Sequence, residues 1–118
     1  MKNYFLLLLL VLIFGCNDPV NDCGEIAVSY DGIVQTIISE SCTTGGCHPG
    51  PNGGWPVLPD FTTYENVLVY LEEGSFRERI NSPDSTLSMP PLFQEDRVIS
   101  AEDLEILNVW ICNGFPEN

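Results

Sequence analysis

One short segment limits this chain more than any other: Cys42-Thr43-Thr44-Gly45-Gly46-Cys47-His48. It contains two thiols, followed at once by the only histidine of the sequence. Far downstream stands the only methionine besides Met1, in Met89-Pro90-Pro91. Two cysteines with a histidine directly after the second form the arrangement by which a chain carries a haem on two thioether bonds. The neighbouring imidazole then reaches the iron from the same side, and a methionine sulfur is a common second axial ligand in electron-carrying proteins. Cys42 and Cys47 are thus expected to hold one covalent haem c, with His48 and Met89 as the iron ligands. The usual motif has two residues between its cysteines, whereas this loop has Thr43 to Gly46. Gly45-Gly46 lets the longer version fold tightly without steric penalty, and Pro49-Gly50-Pro51 forbids a long helix continuing from the histidine.

Other chemistries fit the same residues. Cys42 and Cys47 could form a disulfide beside a bystander histidine, with Met89 as core filler. Zinc is disfavoured, because consecutive Cys and His rarely both reach one tetrahedral ion and no fourth ligand is evident.

The chain opens with a short basic stretch, Met1-Lys2-Asn3, and an unbroken apolar run from Tyr4 to Phe14. That run is too short to span a bilayer but suits the apolar region of a signal peptide. It ends in Ile13-Phe14-Gly15-Cys16, which resembles a bacterial lipoprotein signal with Cys16 as the lipidated residue. The expected division is a signal peptide over 1–15, a polar tether over 16–27 and one domain over 28–118. A domain of roughly 90 residues buries a modest core and gains from a staple or a cofactor. Cys23 and Cys112 remain once Cys16, Cys42 and Cys47 are assigned, and an exported pair left over reads as a disulfide. The protein is expected in the cell envelope, lipid-anchored to a membrane.

Seventeen acidic residues face four basic ones, and Lys2 belongs to the signal segment. So acidic a chain excludes nucleic-acid binding. It is compatible with steering toward a redox partner that has a basic docking surface, although solubility alone accounts for the charge equally well.

The remaining pattern is helical. Tyr30, Ile33, Val34, Ile37 and Ile38 recur at helical spacing from a Ser29 cap to Glu40, so the attachment loop hangs from a helix end. Residues 49–59 are rich in Pro and Gly and read as irregular. Thr62 or Thr63 caps a second helix through Glu72, with Gly74 beyond it, and Phe76–Ile80 reads as a short third helix. The stretch from Asn81 to Phe93 is loop. Ser100-Ala101-Glu102-Asp103 resembles a capping box and opens a last helix to Cys112, with Leu104, Leu107, Val109, Trp110 and Ile111 apolar and Gly114 ending it. Long loops between these helices need something central to organise them.

The order of these pieces is similar to that of small class I c-type cytochromes. More narrowly, Phe61 to Gly114 resembles the cytochrome c-like domains common in Planctomycetes and Bacteroidetes. The residues that carry the resemblance are Tyr64, Ser82-Pro83-Asp84-Ser85-Thr86-Leu87, Met89-Pro90-Pro91 and Trp110-Ile111-Cys112-Asn113-Gly114. It implies an all-α fold with long loops wrapped around a haem, thioethers at Cys42 and Cys47, and axial ligation by His48 and Met89. Pro90 and Pro91 would stiffen the loop that presents the sulfur. Trp55, Arg77 and Arg79 are candidates to meet a haem propionate, with ordinary packing or solvation as the alternative. Trp110 reads as core at a helix crossing.

An iron with both axial positions filled has no site for substrate. The expected role is therefore reversible one-electron transfer rather than enzymatic turnover. A haem-free lipoprotein domain that binds a partner is the alternative from another class. A third reading keeps the haem but lets Met89 dissociate, giving a peroxidase-like or gas-binding site.

Overall fold

The computed structural model describes residues 23, 24, 26–48 and 58–118. The expected signal segment, Cys16, most of the tether and the 49–57 stretch with Trp55 lie outside the described residues.

Three segments follow one another without a gap and together form α1: Tyr30–Val34 and Ser39–Thr43 in π-helical geometry, with the α-helical Gln35–Ile38 between them. α1 outruns the expected end at Glu40 by one turn. Thr43 and Thr44 stop it by donating their hydroxyls to the carbonyls of Ser39 and Glu40, at 2.8 and 2.7 Å. Such back-bonding satisfies carbonyls that a helix end leaves free. At the other end Ser29 stands in the cap position but makes no side-chain cap bond. The C-terminal tail does that work: Tyr30 and Asp31 donate their backbone N–H groups to the carbonyls of Pro116 and Glu117, both at 2.9 Å.

Helix α2 (Tyr64–Glu72) is capped as expected, with Thr63 Oγ1 accepting from the Asn66 N–H. Gly74, at φ +79, turns the chain into α3 (Ser75–Ile80). After a long loop and a 3₁₀ turn at Glu95–Arg97 comes α4 (Ala101–Cys112). Ser100 caps α4 by accepting the Asp103 N–H at 3.0 Å and donates its hydroxyl to the Asp103 carboxylate at 2.8 Å. Gly114, at φ +80, allows the close of α4, where the N–H groups of Gly114 and Phe115 bond the carbonyls of Ile111 and Trp110.

α4 packs on the start of α1 and on α3, and α2 packs on α3. Trp110, Leu107, Val34 and Val67 are wholly buried in one core with Tyr30, Ile37, Ile38 and Leu71. Each such side chain contributes about 1.5–3 kcal/mol of burial. Trp110 sits at the crossing of α1 and α4, its ring centroid 6.1 Å from Tyr30, and donates its indole N–H to Pro116 at 2.9 Å. Ile33 takes no part in this core and stands half exposed. Cys23 and Cys112 form a disulfide across 89 positions of sequence, with Cα atoms 5.5 Å apart. No strand is present among the described residues, so the domain is all-α there. No helix among them is long and apolar enough to cross a membrane.

Candidate functional site

The C-terminal end of α1 delivers Cys42, buried, to one wall of a cavity. The four intervening residues are absorbed by a 3₁₀ turn over Thr44–Gly46, in which Gly45 takes φ +64. That left-handed conformation favours glycine. The loop is then closed twice: Cys47 donates its N–H to Thr44 at 3.4 Å, and His48 donates its N–H to Cys42 at 3.0 Å. The extra length is folded into a turn, and Cys42, Cys47 and His48 end at the same cavity. Both cysteines are free thiols in this structure. Burial and the neighbouring Cys47 push the Cys42 thiol up to about 12.

His48 is held from three directions. Its Nδ1 lies 2.8 Å from the carbonyl of Pro59, its own carbonyl accepts the Phe61 N–H at 3.3 Å, and its ring stacks on Phe61 with centroids 4.3 Å apart. A carbonyl can only accept, so Nδ1 carries the proton and Nε2 keeps its lone pair. A backbone acceptor behind the ring is the arrangement that orients a metal-ligating imidazole. Burial lowers the imidazole pKa below its ordinary value, and the bond to Pro59 partly offsets this. The segment that carries Pro59 and Phe61 is itself tied down. Asp60 accepts the Thr62 N–H and hydroxyl at 2.8 and 2.6 Å and the Asn66 side-chain N–H at 3.0 Å.

Met89 reaches the same cavity from the loop after α3. Its N–H bonds the Arg79 carbonyl at 3.1 Å, and the Arg79 guanidinium donates to the Leu87 carbonyl at 3.3 Å. Ser88, buried, donates its N–H to Asp84 at 2.8 Å and its hydroxyl to Pro90 at 2.9 Å. The Met89–Pro90 peptide is cis. Met89 is 36% exposed and lines the cavity.

The cavity has a volume of about 430 Å³, within the range of small-molecule and cofactor sites. Its walls are mainly apolar, with Phe61, Phe76 and Ile80 among them. The four residues singled out by the sequence, Cys42, Cys47, His48 and Met89, all line it. Among the described residues no three His, Cys, Asp or Glu side chains gather as a metal cluster. The donors are two thiols, one imidazole nitrogen and one thioether sulfur, a set suited to thioether attachment with His and Met axial ligation. Of the two arginines considered for a carboxylate partner, Arg79 lines the cavity, whereas Arg77 borders a separate surface pocket with Glu78 and Asn108.

Two partners at this site carry no local sequence signal. The Pro59 carbonyl is a backbone group, and its role depends on where the chain passes. Arg97 comes from the 3₁₀ turn fifty residues beyond Cys47, and its Nη1 donates to the Cys47 sulfur at 3.1 Å. No protein-family model, curated protein or solved structure matches this chain.

Proposed function

We propose that this domain holds one covalent haem c in the cavity and serves as a lipid-tethered electron carrier, or as a redox module for a neighbouring envelope enzyme. The observation that carries the reading is the convergence of Cys42, Cys47, His48 and Met89 on one apolar cavity from two segments far apart in sequence. Haem held there supplies reversible one-electron chemistry, with the methionine sulfur raising the potential relative to two imidazoles. The cytochrome c-like arrangement belongs to this proposal: a first helix leading into the attachment loop, methionine on a later loop, and a last helix across the first.

Each residue has a part. Cys42 and Cys47 fasten the cofactor, so that it is not lost from the exported protein. His48 presents Nε2 while Pro59 and Phe61 fix the ring plane. Met89 is offered by a loop anchored to the end of α3 through Arg79. Arg79 is the cation at hand for a propionate. The apolar walls keep water from the iron, and the acidic surface favours a redox partner with a basic face. Lipidation at Cys16 would hold the domain at a membrane of the cell envelope.

The test is expression beside a cytochrome maturation system, followed by intact mass and a pyridine haemochrome spectrum. One haem bound covalently is expected, with a Met–iron charge-transfer band in the oxidised protein. Absence of covalent haem overturns the reading in favour of a haem-free interaction domain. Haem without that band assigns the iron an open position instead.

A further inference from the structure

We propose that Arg97 is a positioning residue for Cys47: its guanidinium holds the Cys47 sulfur in place and away from Cys42 until both thiols are consumed by the cofactor. The proposal rests on the haem reading for its chemistry, and its geometry stands apart from it.

Two free thiols separated by a short flexible loop, in an oxidising compartment, tend toward a disulfide. Here both line one cavity, yet they remain unpaired. The loop carries its own device against closure. Arg97 Nη1 donates to Cys47 Sγ at 3.1 Å, and the guanidinium lies against Gly45 so closely that a Cβ there would overlap it. Gly45 is favoured here for its φ of +64, and the guanidinium packs into the space left by its missing side chain. The elongated loop has an added turn, and the arginine packs on that turn.

Arg97 is placed by the other half of the site. The Gln94 N–H bonds the Pro91 carbonyl at 2.9 Å, and the Arg97 N–H bonds the Gln94 carbonyl at 2.9 Å. The chain thus runs from Met89-Pro90-Pro91 through two turns to the guanidinium on Cys47. The Arg97–Cys47 hydrogen bond links the segment that follows the Met-bearing loop to the attachment loop. Among the described residues the one acid within 4.0 Å of Arg97 is its neighbour Asp96, at 4.0 Å from Nε and well exposed, a contact too weak to draw the guanidinium off the sulfur.

Thioether formation adds the thiol S–H across a vinyl C=C. The S–C bond forms, the thiol hydrogen goes to the adjacent vinyl carbon, and no electrons are exchanged with an outside reagent. Such an addition depends on where the sulfur is held, so orientation by Arg97 decides whether Cys47 reacts. A disulfide between Cys42 and Cys47 would forbid both additions.

The experiment has two arms. Haem-free protein, wild type against Arg97→Met and Arg97→Lys, is equilibrated with mixtures of reduced and oxidised glutathione. Cys42–Cys47 bridging at equilibrium is followed by alkylation and peptide mass. A hydrogen bond from a charged donor held only by the unbridged form corresponds to roughly tenfold in the equilibrium constant, so Arg97→Met favours the bridge about tenfold more than wild type and Arg97→Lys falls between. Equal constants overturn the proposal. Arg97→Gln, which keeps a polar side chain without the charge, gives a shift of the same sign and covers the case in which Arg97→Met fails to fold. In the second arm the variants are made with a maturation system. Arg97→Met accumulates protein attached through Cys42 alone, with the mass and band position of Cys47→Ser, and Arg97→Lys restores part of the double attachment. Full double attachment in Arg97→Met also overturns the proposal. A wild type without covalent haem defeats the haem reading, and the first arm still decides the role of Arg97.

Discussion

His48 Nδ1 and the carbonyl of Pro59 are hydrogen-bonded at 2.8 Å, and Phe61, two residues beyond, covers one face of the same ring. One short segment therefore sets the tautomer, the direction and the plane of the only imidazole. Phe61→Ala removes the stacked face and opens the core between His48 and Phe76, whose ring lies 5.7 Å from Phe61. A cost of about 3–5 kcal/mol is expected, read as a lower midpoint in urea. In haem-loaded protein the same change broadens the low-spin spectrum, because the ring is no longer held in one plane. An unchanged midpoint would contradict the packing described.

Met89 is a different case. Because its side chain is partly exposed and its loop is fixed by backbone bonds at Arg79, Met89→Ala leaves the haem-free fold nearly as stable as before, within about 1 kcal/mol. On the proposed function, the variant keeps its covalent haem, loses the Met–iron charge-transfer band and shifts to lower potential. Redox titration checks this, and a band retained in Met89→Ala would show that another group is the ligand.

Alkaline pH should destabilise the haem-free domain through Cys42. Its thiol is pushed from an ordinary 9.0 up to about 12 by burial. In the folded state it keeps its proton after the unfolded chain has released one. The contribution is therefore complete below pH 9 and is lost as pH rises toward 12, of order 4 kcal/mol in all. Burial also raises the Tyr30 hydroxyl pKa, with the same sign. Denaturant midpoints at stepped pH should fall less steeply for Cys42→Ala than for wild type, with the Tyr30 share left in both. Parallel slopes would place Cys42 outside the core.

At the opposite extreme, the Asp60 carboxyl is held below its usual range by the Thr62 hydroxyl and N–H and by Asn66. A carboxylate stabilised in the fold contributes above its unfolded pKa, and that contribution disappears as pH falls through the lowered value. Acid should therefore loosen the turn behind His48. In hydrogen exchange the amide of Thr62 should lose protection as pH falls, and Asp60→Asn should make that loss independent of pH. Protection that persists in acid would mean the turn is held by other contacts.

Reduction of Cys23–Cys112 releases a long closed loop, for which the chain-entropy relation gives about 4–5 kcal/mol. The melting temperature of wild type should drop in dithiothreitol, and that of Cys112→Ala should start low and stay there. Equal sensitivity in both proteins would assign the effect to other thiols.

Much of this architecture was legible because it follows local rules. The helical spacing of Tyr30, Val34, Ile37 and Ile38 identified the buried face of α1, and Thr63, Ser100 and Gly114 marked helix ends where the backbone bonds are now seen. The leftover pair Cys23 and Cys112 is the disulfide, and the motif residues share one cavity. The N-terminus of α1 was less legible. Ser29 has the chemistry of a cap, but carbonyls from the far end of the chain outcompete its side chain, and nothing near Ser29 encodes their arrival. Arg97 is a similar case: nothing in Glu95-Asp96-Arg97 tells that the fold sets this cation on a sulfur. Ile33 matched the helical period yet faces outward, because the period fixes a stripe and leaves its width to the packing partner.

The disulfide also changes the topology of the molecule. Cys23 and Cys112 close the chain between them into a covalent ring, and Cys42, Cys47, His48, Pro59, Met89 and Arg97 all lie on that ring. A single proteolytic cut anywhere along it converts the ring into a line but releases no fragment. A nicked molecule would keep every group of the site on one connected piece, and only a second cut or a reductant would separate them. On the proposed function, damage to one loop need not mean loss of the haem.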